Sequence, residues 1–236
     1  MPRLTFVRNH LLHLLPPSER QGILTSCEKV PLVRSTILWQ PGLAMTHVYF
    51  PVAGLISVTA TLEDGAGLEI AMIGREGALG AQVALGVVSA PLRATVQAAG
   101  WAWRLRNDHF QACLRAGPVL GQVFDRYGAV LMSQLVTSAI CQCHHEVAPR
   151  LARWLMMHQD RMGPDSLSIT QELLGVMLGV RRVSITSAAG ALQRRGLIAY
   201  HRGTLHILDR TGLAAMACAC YGNDQASYAE GMGSSG

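Results

Sequence analysis

Apolar and polar positions change their period along this chain, and the changes mark out its parts. Residues 4–27 read as one or two short helices, with Pro16-Pro17-Ser18-Glu19 as a helix start and Ser18 as its candidate cap. From about Val30 to Leu105 the period falls to two. Ile56, Val58, Ala60 and Leu62 alternate with Ser57, Thr59 and Thr61, the mark of a half-buried strand. Asp64-Gly65 then predicts a hairpin turn, with residues 68–73 returning as the partner strand. Pro41-Gly42, Gly54, Gly74, Gly77, Gly80, Gly86 and Gly100 punctuate the stretch, and Trp101, Trp103 and Leu105 alternate again at its end. Many short strands with frequent turns predict a small antiparallel barrel or sandwich.

Helical spacing returns after Asn107-Asp108. Leu120, Phe124, Tyr127, Leu131 and Leu135 follow one another at steps of three or four and form an apolar stripe. Such a stripe packs either on its own domain or on the same helix of a second subunit. Residues 147–159 form a further helix with Leu151, Trp154, Leu155 and His158 on one face and Pro149 in its first turn. Gly163-Pro164-Asp165 breaks the chain there, and the small, polar residues 222–236 are expected to be a disordered tail.

The richest segment is Ser168-Ile-Thr-Gln-Glu-Leu-Leu-Gly-Val-Met-Leu-Gly-Val-Arg-Arg-Val-Ser-Ile-Thr-Ser187. Thr170 caps a short helix whose Leu173, Leu174, Met177 and Leu178 face inward, and Gly179 supplies the positive φ of a sharp turn. A second helix starts near Arg181–Arg182 and runs to Arg195, burying Ile185, Ala188, Ala189 and Leu192. Helix, glycine turn and helix is the arrangement that places its second helix in the major groove of DNA. Arg181, Arg182, Ser184, Thr186 and Ser187 stand exposed at the start of that helix, as donors where the backbone dipole also favours phosphate. Two short strands follow around His201-Arg202-Gly203, a wing that lays Arg202 along a phosphate backbone.

Composition narrows the classes. Half of the 236 residues are hydrophobic and 15% are charged, which permits a substantial core and excludes global disorder. The formal net charge is +5, and Lys29 is the one lysine among 20 basic residues. Arginine bonds phosphate and guanine bidentately, which suits nucleic acid. No run of 18–20 apolar residues predicts a membrane span, and Arg8, Asn9, His10 and His13 interrupt the N-terminal apolar stretch where a signal peptide needs a clean one. Cys27, Cys113, Cys141, Cys143, Cys218 and Cys220 are therefore expected as reduced thiols in a cytoplasmic protein.

The whole chain resembles the Crp/Fnr family of bacterial regulators. The residues that carry the resemblance are Leu151-Ala-Arg-Trp-Leu155, Thr170-Gln-Glu172, Leu178-Gly-Val-Arg-Arg182, Leu192-Gln193, Gly196-Leu-Ile198, Tyr200, Arg202-Gly203 and Ile207-Leu-Asp-Arg210, with Val48-Tyr-Phe50, Gly54 and Ile73-Gly-Arg-Glu-Gly77 less distinctive. The resemblance implies an α+β fold: an N-terminal antiparallel β-barrel of the jelly-roll, cyclic-nucleotide-binding type over residues 1–117, a dimerisation helix over 118–145, and a winged helix-turn-helix over 146–221. It implies a homodimer joined through Leu120, Phe124, Tyr127, Leu131 and Leu135, with double-stranded DNA and RNA polymerase as partners. The DNA-contacting set becomes Thr170, Gln171, Arg181, Arg182, Ser184, Thr186, Ser187, His201 and Arg202. Arg182 falls where members place a base-reading arginine. Val183 replaces a glutamate that many members use on bases, and Ser187 replaces a second arginine, so the operator is expected to differ.

Members that bind cyclic AMP carry Gly-Glu-Leu for the ribose and Arg-Ser/Thr-Ala for the phosphate. Here the corresponding stretches read Gly80-Ala-Gln-Val-Ala84 and Leu92-Arg-Ala-Thr95. The effector pocket is expected around Gly80, Ala81, Gln82, Arg93 and Thr95, with cyclic AMP disfavoured because the ribose carboxylate is missing. No cofactor and no metal is expected. Cys141-Gln-Cys143-His144-His145 invites a metal or redox role, but residues two apart on a helix point about 200° from each other, so both cysteines cannot hold one ion, and Cys218-Ala-Cys220 is read in the same way. Nucleophile elbow, phosphate loop and zinc-protease signature are all missing, so no enzyme is expected. The alternative class is a ligand-binding or redox-sensing module that acts on a protein partner without DNA.

Overall fold

The computed structural model describes residues 9–63, 66–163 and 167–233. The Asp64-Gly65 turn, Pro164 and Asp165 of the expected chain break, and the first eight residues lie outside the described residues. The chain divides into two compact units, one of Met1–Val58, Met72–Met132 and Tyr228–Gly236, the other of Thr59–Ala71 and Ser133–Ser227.

The first unit opens with two short helices, α1 (His10–His13) and α2 (Pro17–Thr25). Asn9 caps α1 by accepting from the Leu12 amide, while its own amide donates to the carbonyls of Pro51 and Gly77 at 2.9 and 2.8 Å. Helix α2 begins one residue before the expected cap: Pro17 occupies its first position with φ already set, and Ser18 caps nothing.

The strands are β1 (Glu28–Leu32), β2 (Ile37–Trp39), β3 (His47–Thr61), β4 (Gly67–Ile73) and β5 (Arg93–Arg106), with the one-turn helix α3 (Ala81–Ala84) between the last two. They form one sheet in the order β1-β5-β3-β4, with β2 also paired to β5. The expected antiparallel strand domain is present, but as an open sheet built on two long strands instead of a closed barrel of many short ones. Strand β3 is central, and so Ser57 and Thr59, predicted on a solvated face, are buried with their apolar neighbours. At the end of β5 the expected alternation holds at Leu105 but not at the two tryptophans. Ala102 and Leu105 are fully buried, whereas Trp101 and Trp103 lie half-exposed in an edge-to-face pair, with the Lys29 ammonium 4.3 Å from the Trp101 ring centre.

Helix α4 (Asn107–Ala116) leads into the long α5 (Pro118–His144), whose earlier part belongs to the first unit and whose later part belongs to the second. Phe124 packs between Phe110 and Phe50, with ring centres at 4.9 and 6.1 Å. Leu120, Phe124 and Tyr127 are at most 3% exposed within the chain itself. These three members of the expected dimer stripe therefore line their own domain's core and have no surface left for a partner. Leu131 is half-buried and Leu135 exposed. A different apolar row is open on α5: Met132, Leu135, Val136 and Ile140, at 69%, 41%, 60% and 52% exposure.

The second unit holds α6 (Val147–Met162), β6 (Leu167–Ser168), α7 (Gln171–Leu178), α8 (Arg182–Arg194), β7 (Ile198–His201), β8 (Thr204–Ile207), α9 (Arg210–Met216) and the start of α10 (Cys220–Met232). Its sheet runs β6-β8-β7. Helix α10 corrects the expectation of a disordered tail. Its sequence is a weak helix former, with Gly222 and Gly231, but buried partners fix it in place. Asp224 accepts from Arg153 at 2.6 Å in the second unit, and in the first Tyr228 donates to the Glu76 carbonyl at 2.6 Å and accepts from His10 Nδ1. Burial pushes the Asp224 carboxyl above its usual range against the pull of Arg153.

Candidate nucleic-acid interface

The interface begins with a hydroxyl. Thr170 stands in extended conformation ahead of α7, and its Oγ1 accepts from the Leu173 amide at 3.1 Å, the cap that its sequence position predicted. Leu174, Met177 and Leu178 are buried as expected, and Leu173 is half-buried. The helix ends at Gly179, whose φ of +62° and ψ of +39° lie in the left-handed region where a side chain is strained. Val180 and Arg181 complete the turn, and α8 starts at Arg182.

Ile185, Ala188, Ala189 and Leu192 turn inward, which leaves Arg181, Arg182, Val183, Thr186 and Ser187 exposed and Ser184 half-buried. The five predicted residues thus cluster at one end of α8, with Arg181 just ahead of its first turn. The first turn of α8 carries no acidic residue to offset its positive dipole. Thr186 donates to the Gln171 side chain at 2.6 Å, so the two predicted residues from α7 and α8 join in a brace.

Strands β7 and β8 meet in a two-residue turn at Arg202-Gly203, with φ of +46° and +81°. Positive φ at both positions is the hairpin geometry that follows strand twist. The wing is tied down by Ile169, whose amide donates to the Gly203 carbonyl at 2.8 Å and whose carbonyl accepts from Tyr200 at 2.7 Å. His201 and Arg202 are exposed at its tip.

One supporting residue, Arg150, and the polar partner of another, Trp154, escaped the sequence reading. Arg150 is buried on α6 and donates both to Gln142 and to the Leu178 carbonyl, an acceptor that the last turn of α7 leaves unpaired. Trp154 donates its ring N–H to Glu69 of β4 at 2.6 Å. An arginine beside an apolar stripe reads as a solvated flank, so no local signal marks Arg150 as buried.

The expected effector residues are spread over two elements. Gly80 precedes α3, Ala81 is buried and Gln82 half-buried in it, and Val48 fills the space where a side chain at Gly80 would stand. Arg93 is exposed at the first position of β5, and Thr95 is half-buried opposite Ile37 of β2. No carboxylate stands in this stretch to accept ribose hydroxyls. Cys143 and His144 point to solvent at the end of α5, away from buried Cys141, as the helix geometry required.

A helix-turn-helix braced on a three-stranded wing, following an antiparallel sheet and a long helix, is the architecture of a DNA-binding protein. The sequence model of the Crp-like helix-turn-helix domain matches residues 149–216, and that of the cyclic nucleotide-binding domain matches residues 29–116. The chain belongs to the Crp/Fnr family of DNA-binding transcription regulators. FixK2 from Bradyrhizobium japonicum shares its fold with a TM-score of 0.69 at 13% identity, over 81% of this chain and 98% of that one. A Crp/Fnr-family transcriptional regulator from Eubacterium rectale gives 0.70 at 16% identity, over 89% and 98%. TTHB099, a CRP-family regulator from Thermus thermophilus, gives 0.66 at 20% identity, over 80% and 96%. At these identities the likeness is one of fold. No curated protein matches the sequence. Among the described residues no helix is long and apolar enough to cross a membrane.

Proposed function

We propose that this regulator acts in the cytoplasm as a symmetric dimer, each α8 entering one of two successive major grooves about 34 Å apart on a palindromic site. The observation that carries this reading is the solvent-facing start of α8, where Arg181, Arg182, Thr186 and Ser187 stand clear of a packed hydrophobic underside. Arg182 is the reader of guanine, through its O6 and N7, and exposed Val183 offers a methyl surface to thymine where a glutamate would accept from cytosine. Arg202 and His201 serve the phosphate backbone from the wing, setting register without reading sequence. The dimer contact runs along Met132, Leu135, Val136 and Ile140 of α5, because an exposed apolar row at helical spacing needs a cover.

The signal enters at the sheet of the first unit and shifts the population between states of different DNA affinity. Cyclic AMP is not that signal, a reading supported by Ala81 and Gln82 in place of a ribose-binding carboxylate. Regulation through RNA polymerase and the lack of any catalytic role follow the family pattern. Selection of bound duplexes from a random pool, followed by mobility shift at controlled salt, tests the reading. A two-fold symmetric consensus with half-sites one helical turn apart is expected, and indifference to every duplex at low salt overturns it.

A further inference from the structure

Three cysteines and a histidine, from stretches of chain more than 70 residues apart, converge inside the second unit. The Sγ atoms of Cys141, Cys218 and Cys220 and a ring nitrogen of His145 all lie within 4.8 Å of one another. Cys141 Sγ is 3.5 Å from Cys218 Sγ, and Cys220 Sγ is 3.6 Å from His145 Nδ1. The three cysteines are 2%, 8% and 4% exposed, and all are free thiols.

The local backbone explains the convergence. His145 lies four residues beyond Cys141, just past the end of α5, and its amide still donates to the Cys141 carbonyl, so the helix end holds both ligands one turn apart. Cys218 and Cys220 escape the helix objection raised by their spacing. Helix α9 ends at Met216, Ala217 is extended, and Cys218 sits in the turn before α10, while Cys220 opens that helix. A side chain from a turn and one from a helix start can face the same point. Those on Cys141 and Cys143, both within α5, cannot, and Cys143 is exposed.

We propose that Cys141, His145, Cys218 and Cys220 form a tetrahedral site for one thiophilic divalent cation of the zinc class. A tetrahedron with zinc–sulfur bonds of about 2.3 Å has sulfurs about 3.8 Å apart, and the two closest donor pairs already approach that edge length. An iron–sulfur cluster spreads its protein ligands over two or four irons and needs a wider opening. Three soft thiolates with one imidazole select zinc over the hard cations magnesium and calcium. Loading releases three thiol protons to solvent, and three thiolates around a dication leave a net charge of −1. Arg150 and Arg153 both interact electrostatically with Cys141 and Cys218 and offset that charge. The ion clamps the α9–α10 turn to the end of α5, closing a long loop of chain.

The full-length protein, purified without chelators from zinc-supplemented cells, is analysed for metal, and the metal-free protein is titrated with Co²⁺ under anaerobic conditions. About one zinc per chain is expected, with cobalt giving tetrahedral ligand-field bands and thiolate charge-transfer absorption. Cys143→Ser retains the metal, whereas Cys218→Ser and Cys220→Ser lose it. The cobalt spectrum of the unaltered chain decides the matter even where a variant fails to fold. Protein that takes up neither metal, binds iron with acid-labile sulfide, or carries a Cys141–Cys218 disulfide overturns the proposal. Metal content is read without DNA, so this inference and the DNA-binding reading stand or fall separately.

Discussion

Thr186 of α8 donates its hydroxyl to the side-chain oxygen of Gln171 at 2.6 Å, and also meets the Arg182 carbonyl at 3.2 Å. The first residue of α7 is thereby tied to the second turn of α8. Removing an exposed hydrogen bond of this type costs about 0.5–1.5 kcal/mol of stability at most. Thr186→Val and Gln171→Ala are expected to leave the fold intact and to weaken specific DNA binding. The double variant should be no weaker than the worse single one, a coupling read from a double-mutant cycle of dissociation constants. Fully additive losses would show that the two side chains act on DNA independently.

The two arginines of the proposed interface are expected to differ in what they do to specificity. Arg182→Ala is expected to relax base choice at one position of each half-site, by roughly 1–3 kcal/mol of discrimination. Arg202→Ala, at the wing tip, should weaken all duplexes alike and lower the slope of log affinity against log salt by about one. Competition with single-base variants of the selected site, at several salt concentrations, distinguishes the two.

Dimerisation is tested on the open row of α5. Val136→Glu and Ile140→Glu place charges on an exposed face and are expected to give folded monomers by sedimentation. Leu120→Glu buries a carboxylate in the core of the first unit, where the residue is 1% exposed, and should unfold it. Dimers that survive both α5 substitutions would remove that row from the interface.

His158 provides a pH readout of the second unit. Burial beside Trp154, with Arg161 adding to the effect, lowers its pKa from 6.5 to about 4, and its Nε2 has no hydrogen-bond partner. The unfolded chain therefore takes up a proton at about 6.5, while the folded chain resists until about 4. Stability is fully present above pH 6.5 and is lost as pH falls through this window, by about 3 kcal/mol from this group. His158→Phe should flatten that part of the stability–pH curve in urea titrations, and an unchanged slope would assign the loss elsewhere.

Gly179 carries the turn between the two helices. An alanine there meets left-handed φ, and its Cβ would lie 3.2 Å from Leu68 Cδ1 of β4. Gly179→Ala is expected to cost about 1–2 kcal/mol, seen as a lowered Tm. Equal stability would mean that the turn can relax to another conformation.

Much of the interface was legible in the sequence because its signals are local. A threonine three residues before the amide it caps, a glycine at a left-handed turn and two residues at a hairpin tip act on neighbours in the chain. Periodicity likewise marked α5 and α6, but could not say which apolar row each covers. Phe124 and Leu135 look alike in a stripe, and only the position of Phe50 and Phe110 sends the first inward. Ser57 and Thr59 were misjudged for the same reason, since alternation describes one strand and burial depends on the strands and layers around it.

The amino-acid order alone determined the helix-turn-helix, its wing and the family they belong to. Tertiary structure decided the burial of Arg150, the ordering of α10 through Asp224 and Tyr228, and the meeting of Cys141 with Cys218, 77 residues away. Backbone preferences are set within a turn or a strand pair, whereas a side chain's partner is set by packing, which brings together residues that no spacing rule connects.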